Sequence, residues 1–476
     1  MQYDVIIIGS GFGGLACAQL LSQAGLHVLL LERHQYLGGC MQSFRRGAFS
    51  YDTGFHYVGG LAEGQPLHAA FRRLGLMKLP WQRLDADGFD LVTIGDNTFA
   101  FAEGYEQFAE TLASAFPDER HALHQYAEML RKMPSVEEIG GVNAYDYLSK
   151  LFGNPLLVNI LSGTSLKMEL RSDTLPLFTF AHSNSSYIQS SWRLRGDGNL
   201  IVDEMAKNIR QNGGDIICRT EVEELIEEDG RITAVKCANG ECYTGTTFIS
   251  DVHPQQTFDW LKTTKVVKKV FRRRLQMLEN TFGMFTVSLL LKPETLPYFN
   301  HNKYVYRKAN VWSFYEEEDE VGGVMVSCRV PEQGNMAEQI DLLTPMPWNR
   351  CKQWQDTSVG RRGEAYEQLK EKLANECVAL AETVIPGLSD MVSQRYTSTP
   401  LTWRDYTSTP EGSAYGVRKD CHNWPVTMLS TRTPLPNLLL TGQNLMLHGL
   451  EGVTMTALQT CSDIIGADHI QGMMKE

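Results

Sequence analysis

A chain of 476 residues, 43% hydrophobic and 21% charged, has an ordinary globular composition and a length that suggests two interlocked domains rather than one core. A formal charge of −12 excludes nucleic acid as a general partner, and no apolar run approaches the roughly 18 residues that cross a bilayer. The first apolar run is only strand-length and lacks a basic leader, and the ten cysteines include no C-x-x-C, so a reduced, cytoplasmic protein without a metal site is expected.

The first forty residues organise the rest. Asp4-Val5-Ile6-Ile7-Ile8 is the β-branched apolar run of a buried parallel strand. It breaks at Gly9-Ser10-Gly11-Phe12-Gly13-Gly14, which fits G-x-G-x-x-G. Gly9 allows the tight turn, Gly11 lets backbone approach a diphosphate, and Gly14 lets the next helix pack close to the strand. Residues 15–24 read as that helix, Gly25 stops it, and residues 27–31 form a second strand ending in Glu32. Glu32 follows Gly14 by eighteen residues, the place for a carboxylate that bonds a ribose 2′-OH. This end is expected to bind a dinucleotide, with phosphates at the helix N-terminus.

Arg33 to Gly39 resembles the second half of the FAD signature of glutathione-reductase-like flavoproteins, in which an acidic-basic pair precedes Gly-Gly (here Gly38-Gly39). Met41-Gln42-Ser43 and Asp52-Thr53-Gly54-Phe55-His56 follow, and the Asp-x-Gly-x-His cluster resembles a stretch of carotenoid desaturases, carotenoid isomerases and retinol saturases. It would bring His56 near the isoalloxazine, either as a proton carrier or, with Asp52, as a loop stabiliser.

A helix is expected over 67–74, a hairpin over 90–101, helices over 104–116 and 117–132, and helical pattern from 146 to 166. Residues 175–191, aromatic and polar, suit a cavity wall. A further helix over 196–212 is followed by strands at 216–217, 232–237 and 247–250, a return to βαβ pattern that makes the dinucleotide domain discontinuous. Residues 264–280 set Lys265, Lys268, Lys269, Arg272, Arg273 and Arg274 against an apolar set at helical spacing, read either as a helix lying in an anionic membrane surface or as a solvated helix on its own core. Strands over 284–291 and 324–330 and a helix over 364–384 belong to a second unit. Residues 437–440 are a strand, and Gly449-Leu450-Glu451-Gly452-Val453 opens the final helix.

Thr399-Pro400-Leu401-Thr402 and Gly412-Ser413-Ala414-Tyr415-Gly416 also resemble the carotenoid isomerase and retinol saturase branch. With these matches, running from Asp4 to about Ile465, the chain resembles the phytoene desaturase, carotenoid isomerase and retinol saturase superfamily of FAD oxidoreductases. The resemblance implies an α/β protein: a glutathione-reductase-like, Rossmann-type FAD domain over 1–75, 191–255 and 425–476, and an α+β substrate domain over 76–190 and 256–424. It implies FAD on Gly9, Ser10, Gly11, Phe12, Gly13, Gly14, Glu32, Arg33, Gly39, Ser43, Val222, Gly442, Asn444, Gly452 and Val453. Gln443-Asn444 stands where the family usually has an acidic residue. His56, Tyr415, His448 and Glu451 are the catalytic candidates, Tyr415 and Glu451 being equally readable as a core tyrosine and a helix cap.

The implied activity is hydride transfer between flavin N5 and a C=C of a hydrophobic polyene, carotenoid-like or retinoid-like, with saturation and desaturation equally open. No second glycine-rich motif appears, so an external donor or acceptor (quinone, oxygen or another reductant) is expected to complete turnover. The alternatives are redox-neutral polyene isomerisation, an amine-oxidase-type enzyme whose aromatic cage would use Tyr406 and Tyr415 but for which no lysine can be assigned, and a flavin-holding lipid carrier.

Overall fold

The computed structural model describes residues 2–316 and 320–475. Its first sheet grows from the opening strand β1 (Gln2–Ile8), whose last four residues are buried because other strands flank it on both sides. β2 (Val28–Leu31) pairs with one edge in parallel and Cys242–Ser250 with the other. Asp215–Ile217 extends the parallel array beyond β2, and Leu438–Leu440 extends it beyond Cys242–Ser250. Distant parts of the chain thus close one sheet, with helix α1 (Phe12–Gln23) as the crossover between β1 and β2. This is the Rossmann-type α/β arrangement that the glycine turn predicts and that the flavoprotein resemblance implies.

A second, seven-stranded sheet runs in the order Val392–Ser398, Gly283–Leu291, Gln339–Met346, Gly323–Cys328, Asn302–Tyr306, Asp90–Ile94, Asn97–Phe101. Its neighbours are antiparallel except Asn302–Tyr306 with Asp90–Ile94. The stretch read as a cavity wall is a helix, α2 (Leu177–Gln189), packed between this sheet's cluster of side chains and the cavity.

A buried ion triad ties the second sheet to the hairpin formed by Ser43–Arg46 and Phe49–Asp52. Arg329 donates to Asp52 at 2.7 Å and to Asp341 at 3.1 Å. Asp52 also accepts from the amide of Gly198 at 2.7 Å and from the Ser43 hydroxyl at 2.9 Å. Asp52 is therefore a fully engaged cross-link, the loop-stabilising reading of its motif.

Residues 264–280 differ from expectation. Only Lys269–Gln276 is helical. The Thr264 hydroxyl accepts the amides of Val266 and Val267 at 3.2 Å each, a local turn that competes with a helix start, and Val267 drops into the core. The apolar side chains do not share one face: Leu275 is buried, whereas Val270 and Met277 are 66% and 71% exposed. No helix among the described residues is long and apolar enough to cross a membrane.

Candidate functional site

The end of β1 forms a cradle that only glycine permits. Gly9 has φ +97°, and a Cβ on Gly14 would lie 2.1 Å from the Gly9 carbonyl oxygen. The first-turn amides of α1 have no partner inside the helix. Gly14 N–H is met by Asp251 Oδ2 at 2.9 Å, while Phe12 and Gly13 line the cavity in front of the turn. The Gly38–Gly39 loop crosses the same cradle, where a Cβ on Gly39 would reach the Gly11 Cα at 3.3 Å.

At the tip of β2, Glu32 accepts from the Ser10 amide at 3.0 Å, the Ser10 hydroxyl at 2.6 Å and the His34 amide at 2.8 Å. A carboxylate has about four acceptor positions, so one remains for a sugar hydroxyl. Val222 lies on the same wall beside Thr220 and Glu221. Arg33 lines the cavity from an exposed position and donates to the Asp405 carbonyl at 3.2 Å. Ser43 does not reach the wall: its hydroxyl is spent on Asp52 and its amide on Asn199.

Asp251 is a site residue that no motif in the sequence marks. It stands between Gly11, Gly13 and Gly442, so close that a Cβ on Gly11 or Gly442 would come within 2.5 or 2.2 Å of its carboxylate. Burial pushes its carboxyl up to about 7, opposed by the Gly14 amide and aided by the charge of Glu32. A proton on Asp251 makes the helix N-terminus tolerant of an incoming phosphate. The glycine cradle, the one spare acceptor position of Glu32 and the raised carboxyl of Asp251 fit a dinucleotide.

Opposite, Gly442 turns with φ +92° and leads to Asn444, whose side-chain oxygen accepts the Val417 amide at 3.2 Å. In helix α3 (Gly449–Ile465), Gly449, Leu450, Glu451, Gly452 and Val453 form the first turn and line the cavity.

The four catalytic candidates all line this cavity but differ in what their polar atoms do. Tyr415 donates its hydroxyl to the Leu166 carbonyl, and His448 donates its Nε2–H to the next carbonyl, Lys167, at 2.7 Å. Their rings pack at 4.7 Å. Both side chains therefore hold the 166–167 turn. Burial pushes His448 down to about 4, and His56 likewise, so both imidazoles are neutral near pH 7. The buried Nε2 of His56 has no hydrogen-bond partner among the described residues. Glu451 is pushed up to about 7 by burial, against a hydrogen bond with Ser186, and so is poised to exchange a proton near neutrality. Lys167, absent from the sequence reading, faces the same space with its ammonium 3.9 Å from the Tyr187 ring centre.

The cavity has a volume of about 330 Å³ and is continuous from the glycine turn, past the start of α3, to an apolar end formed by Met284, Met325, Leu343 and Trp403. A dinucleotide cradle opening into an apolar chamber that holds a proton-exchanging carboxyl is the architecture of a Rossmann-type oxidoreductase. An NAD(P)-binding Rossmann-like domain matches residues 7–74. All-trans-retinol 13,14-reductase of Danio rerio is 24% identical over 97% of this chain and 86% of its own length. The chloroplastic prolycopene isomerase of Daucus carota is 24% identical over 87% of this chain and 72% of its own. The structure of an oxidoreductase from Methanosarcina mazei covers 96% of this chain and 99% of that one, with a TM-score of 0.69 at 14% identity. Over nearly its whole length the chain is similar to proteins of the phytoene desaturase, carotenoid isomerase and retinol saturase superfamily, and it is an oxidoreductase.

Proposed function

We propose that this protein binds FAD and uses it to saturate or desaturate a C=C bond of a hydrophobic conjugated polyene. The observation that carries the reading is one continuous cavity with a dinucleotide cradle at one end and an apolar chamber at the other. The names of the relatives, a retinol reductase and a prolycopene isomerase, support a polyene as substrate. When bound, FAD supplies two-electron hydride chemistry at its flavin ring. Gly9, Gly11, Phe12 and Gly13 hold the diphosphate, Glu32 a ribose hydroxyl and Val222 the adenine. Gly442, Asn444, Gly452 and Val453 hold the flavin side.

Glu451, poised to exchange a proton near neutral pH, gives it to, or takes it from, the substrate carbon next to the one that exchanges hydride. Tyr415 and His448 position the 166–167 turn beside it. Met284, Met325, Leu343 and Trp403 exclude water from the chain of the polyene. Electrons enter or leave through an external partner. Lys268, Lys269, Arg273 and Arg274, exposed around Val270 and Met277, dock the protein on an anionic membrane from which such a substrate is drawn.

The reading is tested by releasing the cofactor from purified protein and identifying it by mass, then offering polyene alcohols and hydrocarbons under anaerobic conditions. FAD and a change in polyene unsaturation are expected. An altered isomer profile with no net redox change would instead assign isomerisation, and the absence of FAD would overturn the reading.

A further inference from the structure

Lys419 is buried and Lys167 half-buried, and their surroundings are opposite. Lys419 donates to three carbonyls, Thr427 at 3.0 Å, Asn444 at 2.8 Å and Leu445 at 2.6 Å, which uses all three of its N–H groups. It is a structural tie. Lys167 makes no hydrogen bond or ion pair through its ammonium among the described residues. It rests on aromatic faces instead, 3.9 Å from the centre of Tyr187 and 5.7 Å from that of Tyr57, and it faces the cavity. Once deprotonated, a nitrogen held this way has no acceptor occupying it.

The turn that carries it is held rigidly. Tyr415 and His448, from far along the chain, bond the carbonyls of Leu166 and Lys167. Behind the lysine lies a buried carboxylate, Asp90, which accepts from the Tyr57 hydroxyl at 2.8 Å and from Asn302 at 2.9 Å. The Tyr57 hydroxyl lies 2.7 Å from that of Tyr304. Burial pushes Lys167 down to about 8, with the charge of Asp90 opposing the shift. A sizeable fraction of the amine is thus neutral and nucleophilic near physiological pH. Desolvation in an apolar pocket is the usual way a lysine is activated toward carbonyl carbon.

We propose that Lys167 is a nucleophile that captures an aldehyde-ended polyene in the cavity as an imine. The inference rests on the reading that the apolar chamber takes a polyene. Nζ of the neutral amine attacks the carbonyl carbon, forming the C–N bond. The C–O bond breaks, and the oxygen leaves as water with the two hydrogens of the amine. Aldehyde and amine become imine and water, with no change of oxidation state. The imine nitrogen then takes up a proton, and the Tyr187 face stabilises the resulting positive charge, aided by Asp90 to the extent that it ionises against the burial that raises it. Glu451, the other carboxyl near Tyr187, is raised to about 7 and so carries only part of a negative charge near neutral pH. The charge spreads along the conjugated chain and makes alternate carbons hydride acceptors, a polarisation that an unactivated C=C lacks.

The test mixes the holoenzyme with all-trans-retinal as probe, reduces any imine with borohydride and maps the adduct by peptide mass spectrometry. A stoichiometric adduct at Lys167 is expected, with a red-shifted absorbance before reduction. Lys167→Arg and Lys167→Met should lose both signals while keeping the bound-cofactor spectrum that reports folding. Adducts scattered over surface lysines with none at Lys167, or an unchanged red shift in Lys167→Arg, would overturn the proposal. If polyene alcohols are saturated but no adduct forms, the functional reading stands and this inference falls. If the adduct forms but no polyene exchanges electrons with the protein, the reverse holds.

Discussion

The amide of Gly14 donates to the carboxylate of Asp251 across 237 residues of sequence, at 2.9 Å. This bond sets an acidic group at the N-terminus of the helix that receives the diphosphate, a position that a charged carboxylate would spoil and a protonated one does not. Burial raises Asp251 from 3.8 to about 7. The folded chain therefore holds a proton that the unfolded chain releases near pH 4. The stability linked to this group is fully present below that pH and is lost as pH rises through about 7. A bound diphosphate favours the same protonated state, so FAD affinity should fall above pH 7, by at most about tenfold per unit. Asp251→Asn should flatten both dependences while keeping an acceptor for Gly14. Titration of apoprotein with FAD at several pH values checks this, and an equally steep fall in the variant would contradict it.

Gly14→Ala should abolish cofactor retention. Its Cβ would stand 2.1 Å from a backbone oxygen that cannot rotate away. A cost of about 1–3 kcal/mol is expected from overpacking. Gly472→Ala, in the helix Ala467–Lys475 with nothing within 4 Å, should be neutral or stabilising. Thermal unfolding and flavin absorbance of the two variants compare the positions directly.

Glu451 gives the saturation rate its pH dependence. Its carboxyl, raised to about 7, donates a proton only below that value, so the rate in the saturating direction should decline above pH 7. Glu451→Gln should remove this limb and lower kcat by roughly 10²–10⁴-fold. Retention of the full rate in the variant would remove Glu451 from the chemistry.

Reversing the charges of Lys268, Lys269, Arg273 and Arg274 should release the protein from anionic vesicles in a sedimentation assay. Binding to zwitterionic vesicles should be weak for both forms. Because these side chains are exposed, thermal stability should change little.

The residues that could be read from sequence are those whose reason is local. Gly9 and Gly14 answer to sterics within six residues, and Glu32 to the length of one strand–helix–strand unit. The strand Gln339–Met346 has every residue buried, so it lacks the alternation that reveals a strand. The basic segment misled because Thr264 diverts the chain by a side-chain bond that periodicity does not register. Lys167 and Asp251 were out of reach for a different reason. Their surroundings are made by Tyr415, His448 and Gly442, which lie about two hundred residues away or more. The polar atoms of Tyr415 and His448 were legible as important, but their bonds to consecutive carbonyls appear only in the folded chain.

The most direct test is an anaerobic spectrum of the purified protein, photoreduced and then mixed with retinoid and carotenoid polyenes. Reoxidation of the flavin with matching loss of polyene absorbance, or bleaching of oxidised flavin by a more saturated precursor, is the predicted result. A protein that carries no flavin, or one whose flavin is indifferent to every polyene in both redox states, would contradict the central claim.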